Sequence, residues 1–258
     1  MINKLPVFLS DPKTKEILQE AAFAVPNGTK VYIVGGAARN AVYYKIFKKR
    51  LPQRDYDLLI IGNRPRYIKN LRKSGFIYGR IRRKTNIVVK KEKVENPSNL
   101  SDYVFLDMKF SDKDIIKNLE ENANFTINGF ALELRYAFRP DWFAKTVKFS
   151  TGMRDMKARK LRINKITHPA NLYSCIRFMS QGFIQPSNKE VNELFKSLGH
   201  LEKWRFKRNI EKVFDYVGGE QNARKLAMKL GIKRNIFDFK TILAIRKEVK
   251  KNPDLILV

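Results

Sequence analysis

Cysteine is nearly absent. The single Cys175 excludes an intramolecular disulfide and any thiolate-based zinc cluster. Two histidines, His168 and His200, are too few for a His-rich metal site. No stretch approaches the roughly 18 apolar residues of a membrane helix. The start, Met1 to Pro6, lacks the apolar core of about 7–15 residues that marks a secretory leader. These absences predict a soluble, intracellular protein of the cytoplasm or an organelle matrix, with no membrane partner. Acidic residues are scarce too: 25 Asp and Glu face 53 Lys and Arg, leaving +28 over 258 residues. Yet 43% hydrophobic and 12% aromatic residues are too many for a disordered basic tail. A folded surface this positive repels itself unless a polyanion is near, and nucleic acid is the commonest polyanion partner. A Lys-rich surface that serves solubility alone is the plainer alternative.

What is present divides at about residue 150. Asp11-Pro12 ahead of Ile17, Leu18, Ala21, Ala22 and Val25 predicts a capped amphipathic helix. Lys30–Val34 predicts a short buried strand, stopped by Gly35-Gly36 and followed by a helical segment through Ala41, Val42 and Phe47. Asp55–Ile61 predicts the next strand, Ile68–Leu71 a helix, and Thr85–Val89 and Tyr103–Met108 further strands. Alternation of this kind predicts an α/β domain over 1–150. From Pro169 onward the apolar spacing is helical: Leu172, Ile176 and Met179, then Val191, Leu194 and Leu198, then Leu201, Trp204, Ile210, Val213, Phe214 and Val217. Residues 151–258 are therefore expected to form an all-α domain.

Charge is spread over both halves. Residues 151–258 hold 24 basic and 10 acidic residues, which leaves 29 and 15 before them, so each half carries +14. The densest run is Arg80-Ile81-Arg82-Arg83-Lys84; a second basic group, Arg205, Lys207 and Arg208, falls among apolar positions. Arg80, Arg82, Arg83, Lys84, Arg205, Lys207 and Arg208 are the candidate contacts to a nucleic acid. The alternative for the first run is a solvated hairpin edge, where cations discourage edge-to-edge pairing.

Two features carry chemistry. Strand side chains alternate faces, so Asp55 and Asp57 project to the same side. Paired carboxylates repel unless a cation lies between them, and Asp-x-Asp on a strand offers the hard oxygens that Mg²⁺ prefers. Asp107 could supply a third ligand if its strand lies alongside. Most such pairs are merely solvent-facing strand residues, which is the alternative here. The Gly35-Gly36 turn lets backbone approach a phosphate and is followed by a helix N-terminus, with Arg39 one turn along. Its alternative is a tight turn and nothing more.

The order of these features resembles a known family. Val34-Gly35-Gly36-Ala37-Ala38-Arg39-Asn40 resembles the V-G-G-x-x-R-D signature of the class II tRNA nucleotidyltransferases (CCA-adding enzymes) and bacterial poly(A) polymerases. Arg54-Asp55-Tyr56-Asp57 looks like their metal-binding D-x-D, and Phe105–Phe110 is similar to the strand that brings their third carboxylate. Asn124-Phe125-Thr126-Ile127-Asn128-Gly129 resembles R-R-D-F-T-I-N-A, and Gly152–Lys157 with Leu161-Arg162 resembles G-x-x-D-L-x…I-R. Pro169, Ile176-Arg177-Phe178 and Gly182-Phe183 are similar to the last motif, E-D-P-x-R-x-x-R-A-x-R-F-x-x-x-L-G-F.

The resemblance, over roughly residues 30–185, implies a polymerase-β-like nucleotidyltransferase head (1–150) followed by a helical neck and body that binds RNA (151–258). It implies transfer of a nucleotide from ATP or CTP to an RNA 3′ end with Mg²⁺. Asp55, Asp57 and Asp107 would be catalytic and metal-binding, and Gly35, Gly36, Arg39, Asn128, Arg154 and Arg177 would bind the nucleotide. Salt bridges to Asp155 or Glu190 are the alternative for the last two, and Trp142 and Trp204 are expected to pack in the core, with base stacking as the alternative. The sequence departs from the pattern in three places: Asn40 for Asp; Asn122-Ala123-Asn124 for R-R-D, which in the family helps hold the triphosphate; and His168 and Asn171 for the Asp and Arg of E-D-x-x-R, the pair that reads the base. Family members also run on into further helical domains, so a shortened member is implied. A poly(A)-type or relaxed specificity fits these departures better than faithful CCA synthesis. The rival reading is an inactive homologue kept as an RNA-binding or assembly subunit, with protein or ribonucleoprotein partners. A third is a nucleotidyltransferase acting on a protein or small molecule.

Overall fold

The computed structural model describes residues 5–53, 55–81, 85–90, 104–149, 151–166 and 168–252. The chain forms two compact units. The first comprises Met1–Glu121 and Asn128–Met153, and the second Asn122–Ile127 and Arg154–Val258. No helix among the described residues is long and apolar enough to cross a membrane.

The first unit is built on a sheet. Its elements are α1 (Pro12–Phe23), β1 (Lys30–Val34), α2 (Gly35–Phe47), β2 (Tyr56–Ile61), α3 (Arg64–Lys73), β3 (Phe76–Ile81), β4 (Thr85–Lys90) and β5 (Leu106–Ser111). Then follow α4 (Ile115–Asn122), β6 (Phe130–Glu133), α5 (Trp142–Lys145), β7 (Val147–Lys148) and α6 (Gly152–Lys157), which leads into the second unit. The strand order is β3-β4-β5-β2-β1-β6-β7. β2 and β5 are parallel, while the other pairs are antiparallel.

Local chemistry explains the elements around the future site. Asp11 caps α1 by accepting from the Thr14 amide at 2.8 Å, and Pro12 starts the helix where a missing N–H costs nothing. β2 is almost wholly apolar because it is central: Leu58, Leu59 and Ile60 are buried. Alternation splits the sheet into two faces. Tyr32, Leu59 and Ala131 pack with Leu119 of α4 on one face, flanked by Val34, Ile61 and Ile115. Ile33 and Leu58, which pair across β1 and β2, face the other way.

The second unit is helical: α7 (Asn171–Ser180), α8 (Asn188–Ser197), α9 (Lys203–Val217), α10 (Glu220–Lys229) and α11 (Phe239–Lys251). A capping box between Ser187 and Glu190 starts α8, and Gly218, at φ +78°, ends α9 in a left-handed cap. Leu172, Ile176, Val191, Leu194, Val213, Ala223 and Ile242 are among its fully buried residues. The break therefore lies after Met153 rather than at 150, and Asn122–Ile127 belongs with the helices. The reason is specific contact: Thr126 donates to Asp155 at 2.7 Å, and the Phe125 ring meets Phe178 edge-on at 5.4 Å.

Candidate active site on the sheet of the first unit

Asp57 and Asp107 are register partners on the adjacent parallel strands β2 and β5, so their side chains leave the same face of the sheet. Neighbouring strands lie about 4.8 Å apart, which brings the two carboxyl groups close. Asp55 precedes β2 by one residue and is exposed. The electrostatics agree with convergence. Burial pushes the Asp107 carboxyl above its ordinary range, Lys109 pulls it back, and the charges on Asp57 and Asp55 raise it further. All three aspartates therefore share one field. Helix α4 packs on this same face: Leu119 joins Leu59 and Tyr32, Val34 and Ile61 pack against them, and Asn118 donates to the Ser111 hydroxyl at 2.8 Å.

The glycine turn abuts the same carboxylates. Val34 pairs with Asp57 across β1 and β2, so the chain enters α2 beside Asp57. Gly35 sits at φ +63°, and a Cβ built there would lie 2.8 Å from the Asp57 Oδ2. A side chain at 35 would thus strain the backbone and collide with the carboxylate. Gly36 is under no such constraint, since a Cβ there would meet nothing nearer than Arg39 Nη2 at 3.8 Å. Of the two glycines the first is the one the geometry demands.

Arg39 is held in place by side-chain oxygens. It donates to Asn40 Oδ1 from Nε (3.1 Å) and Nη2 (2.8 Å), and from Nη1 to Asn128 Oδ1 at 2.9 Å. Buried Asn40 passes the connection on, donating to the Pro52 carbonyl at 3.0 Å and to Gln53 Oε1 at 2.9 Å. Gln53 in turn donates to the Asp55 carbonyl. One network therefore runs from Asn128 through Arg39 and Asn40 to the backbone of the Asp55–Asp57 strand entry.

Three hard-oxygen donors on one face have the chemistry that Mg²⁺ takes. Among the described residues, however, no group of three or more His, Cys, Asp or Glu side chains closes to the spacing that would hold a metal ion. The cation beside Asp57 is the ammonium of Lys109, 3.1 Å from Oδ1. Lys109 follows Asp107 by two residues on β5, hence on the same face, with its side chain 59% exposed against 29% for Asp57. The alternation that linked Asp55 to Asp57 would have found Lys109 as well. Asn40 stands out in the sequence only as a departure from the resembled motif, and Gln53 carries no signal, because their roles are contacts between elements.

The remaining candidates are described by their own surroundings. Arg154 and Arg177 belong to the second unit. Arg154 Nε is 3.8 Å from Asp155 Oδ1, and Asp155, 2% exposed, is shared with Arg162 Nε at 3.3 Å. Arg177 donates to the Ser174 hydroxyl at 3.0 Å and lies over the Tyr216 ring. Arg80 lies on the edge strand β3, opposite Asn86; Arg82, Arg83 and Lys84 fall outside the described residues. Arg205 is 3.0 Å from His168 Nε2 and 3.4 Å from Glu202, while Lys207 and Arg208 are exposed. His168 accepts from the Ala170 amide at Nδ1, and burial together with Arg205 lowers its pKa. Trp142 is buried, as core packing requires, but Trp204 is 55% exposed and does not pack in the core.

No protein-family model matches the chain, and no curated protein matches it. Solved structures do. A CCA-adding enzyme in an apo form superposes with a TM-score of 0.64 at 20% identity, covering 92% of this chain and 54% of that one. The Thermotoga maritima CCA-adding enzyme complexed with tRNA gives 0.64 at 17% identity, covering 96% and 60%. A tRNA nucleotidyltransferase complexed with a primer tRNA and an incoming ATP analogue gives 0.57 at 19%, covering 87% and 66%. The fold is thus like that of these CCA-adding enzymes, a sheet unit followed by helices, and the chain spans about 54–66% of these structures' length.

Proposed function

We propose that this protein extends RNA 3′ ends without a template, as a poly(A)-type or tRNA-type nucleotidyltransferase using ATP or CTP and Mg²⁺. The observation that carries the reading is the in-register pairing of Asp57 with Asp107, with Gly35 packed against the Asp57 carboxylate. Solved structures of the same fold include a CCA-adding enzyme with CTP and one with ATP, which supports a nucleotide substrate.

Asp55, Asp57 and Asp107 would hold the metal, which when bound neutralises phosphate charge and lowers the pKa of an attacking hydroxyl. The protein's own groups do the rest. The Gly35-Gly36 turn and the first N–H groups of α2 receive the triphosphate, and Arg39, fixed by Asn40 and Asn128, adds a planar fork of donors. Asp107, whose proton affinity is raised, is the carboxylate suited to taking the proton of the 3′-hydroxyl. The oxygen thus freed attacks the α-phosphorus and pyrophosphate leaves. His168 and Asn171 lack the charged groups that would choose between C and A, so nucleotide choice is relaxed. Exposed Lys207 and Arg208 meet the RNA backbone, which positions RNA without selecting sequence.

One observation favours a second reading. Lys109 already satisfies Asp57, the arrangement expected if the carboxylates had been retained for structure and the protein acted only as an RNA-binding subunit. Purified protein incubated with labelled ATP or CTP, Mg²⁺ and a tRNA or oligo(A) primer separates the two. Primer extension that disappears in the Asp55→Ala, Asp57→Ala variant supports catalysis. Salt-sensitive RNA binding with no extension by any nucleotide supports the second reading.

A further inference from the structure

Helix α9 has two unlike faces at its N-terminal half. Inward, Phe206 meets the Phe239 ring at 5.3 Å and Tyr173 at 6.5 Å, and Ile210 and Val213 are buried. Outward, Trp204 stands 55% exposed although the helix has its apolar contacts without it. Helical spacing puts Lys207 and Arg208 on the same face as Trp204, at i+3 and i+4, with Lys203 adjoining; all three are exposed. The Arg205 guanidinium lies 5.0 Å from the Trp204 ring centroid. Four cations thus surround one exposed aromatic within six residues, and Glu211, next on that face, marks the end of the patch.

We propose that Trp204 is a stacking platform for an unpaired nucleobase of single-stranded RNA, with Lys203, Lys207 and Arg208 holding the flanking phosphates. The inference deepens the functional reading and rests on its claim that the second unit meets RNA. The chemistry is specific. A large exposed π-face costs solvation unless covered, and a base covers it whatever its identity. The cations around it match the phosphates on either side of that base. A partner protein would have to bring acidic groups instead, and a double helix would offer phosphates but no free base.

Trp204 reports on itself, because Trp142, the only other tryptophan, is 2% exposed. Tryptophan emission, excited where tyrosine does not absorb, is followed while oligo(A), duplex RNA of similar length, or polyphosphate is added. Stacking predicts strong quenching by oligo(A) and little by duplex RNA or polyphosphate. Trp204→Ala should remove the quenching and weaken oligo(A) binding about tenfold, within the range of a single stacked base. Its salt dependence should not change, since no phosphate contact is lost. Trp204→Phe should restore most of the affinity, and because the residue is exposed both variants should keep the wild-type circular dichroism.

The proposal is overturned if oligo(A) binds with unchanged emission, or if Trp204→Ala binds as tightly as wild type. It is overturned equally if duplex RNA quenches as well as oligo(A). Extension without quenching would leave the catalytic reading standing and remove this one. Quenching without extension would do the reverse.

Discussion

Removing Lys109 tests how the carboxylate face is held, and the direction of the effect is not intuitive. The ion pair with Asp57 is largely solvent-exposed, so its loss should cost stability only about 0.2–1 kcal/mol. The consequence for a divalent cation is larger and of opposite sign. Two unit charges a few ångströms apart in water interact by about 1 kcal/mol, so the Lys109 ammonium, more than half exposed, would oppose a divalent cation held at Asp57 by roughly 1–2 kcal/mol. Lys109→Gln, which removes the charge and keeps an unbranched polar side chain, should therefore tighten Mn²⁺ or Mg²⁺ binding about tenfold in titration calorimetry. The same substitution removes the group that holds the Asp107 proton affinity down. The acid limb of the extension activity should then move to higher pH. Divalent affinity that stays the same or weakens would refute the reasoning, because Lys109 would then be no competitor for that cation.

Gly35→Ala places a methyl group 2.8 Å from Asp57 Oδ2 on a backbone at φ +63°. It should cost about 1–2 kcal/mol from the backbone alone and abolish extension, whereas Gly36→Ala should be mild in both urea unfolding and activity. Asp155→Asn weakens the charge-assisted contacts of buried Asp155 with Arg162 and Thr126 and should lower stability by about 1.5–3 kcal/mol, read from urea unfolding of the whole chain. His168 has its pKa lowered from 6.5, so the native state resists a proton that the unfolded chain accepts. Its contribution to stability is complete above pH 6.5 and is lost as pH falls from there toward the lowered value. Thermal melts across that window should flatten in His168→Asn; an unchanged slope would contradict the assignment.

Much of the site was legible because its determinants are local. Gly35-Gly36 between an apolar strand and a helix, and acids two apart on the next strand, are patterns that backbone geometry dictates within a few residues. The helices after Pro169 were legible for the same reason, since their apolar residues recur at the spacing that builds one buried face. The misses are of another kind. Phe76–Ile81 carries a glycine and an arginine among its apolar residues and reads as no strand, yet it forms the sheet edge by pairing with β4. Of the strand expected over Tyr103–Met108, Tyr103 lies outside the described residues, and β5 runs on to Ser111, set by its register with β2 and not by its composition. Trp204 has core-like spacing, but Phe206, Ile210 and Val213 turn α9 so that it faces solvent.

The amino-acid sequence alone determined that acids, a glycine turn and a basic surface would exist, because composition and periodicity are properties of neighbouring residues. Only the tertiary structure decided that Asp107 is the register partner of Asp57, fifty residues earlier, and that Lys109 completes the cluster. It also decided that Asn40 ties Arg39 to the loop ahead of Asp55, and that Asn122–Ile127 joins the helices. These are pairings between distant segments. Which partner each strand or side chain meets depends on how the whole core packs, and that information does not reside in any short stretch of chain.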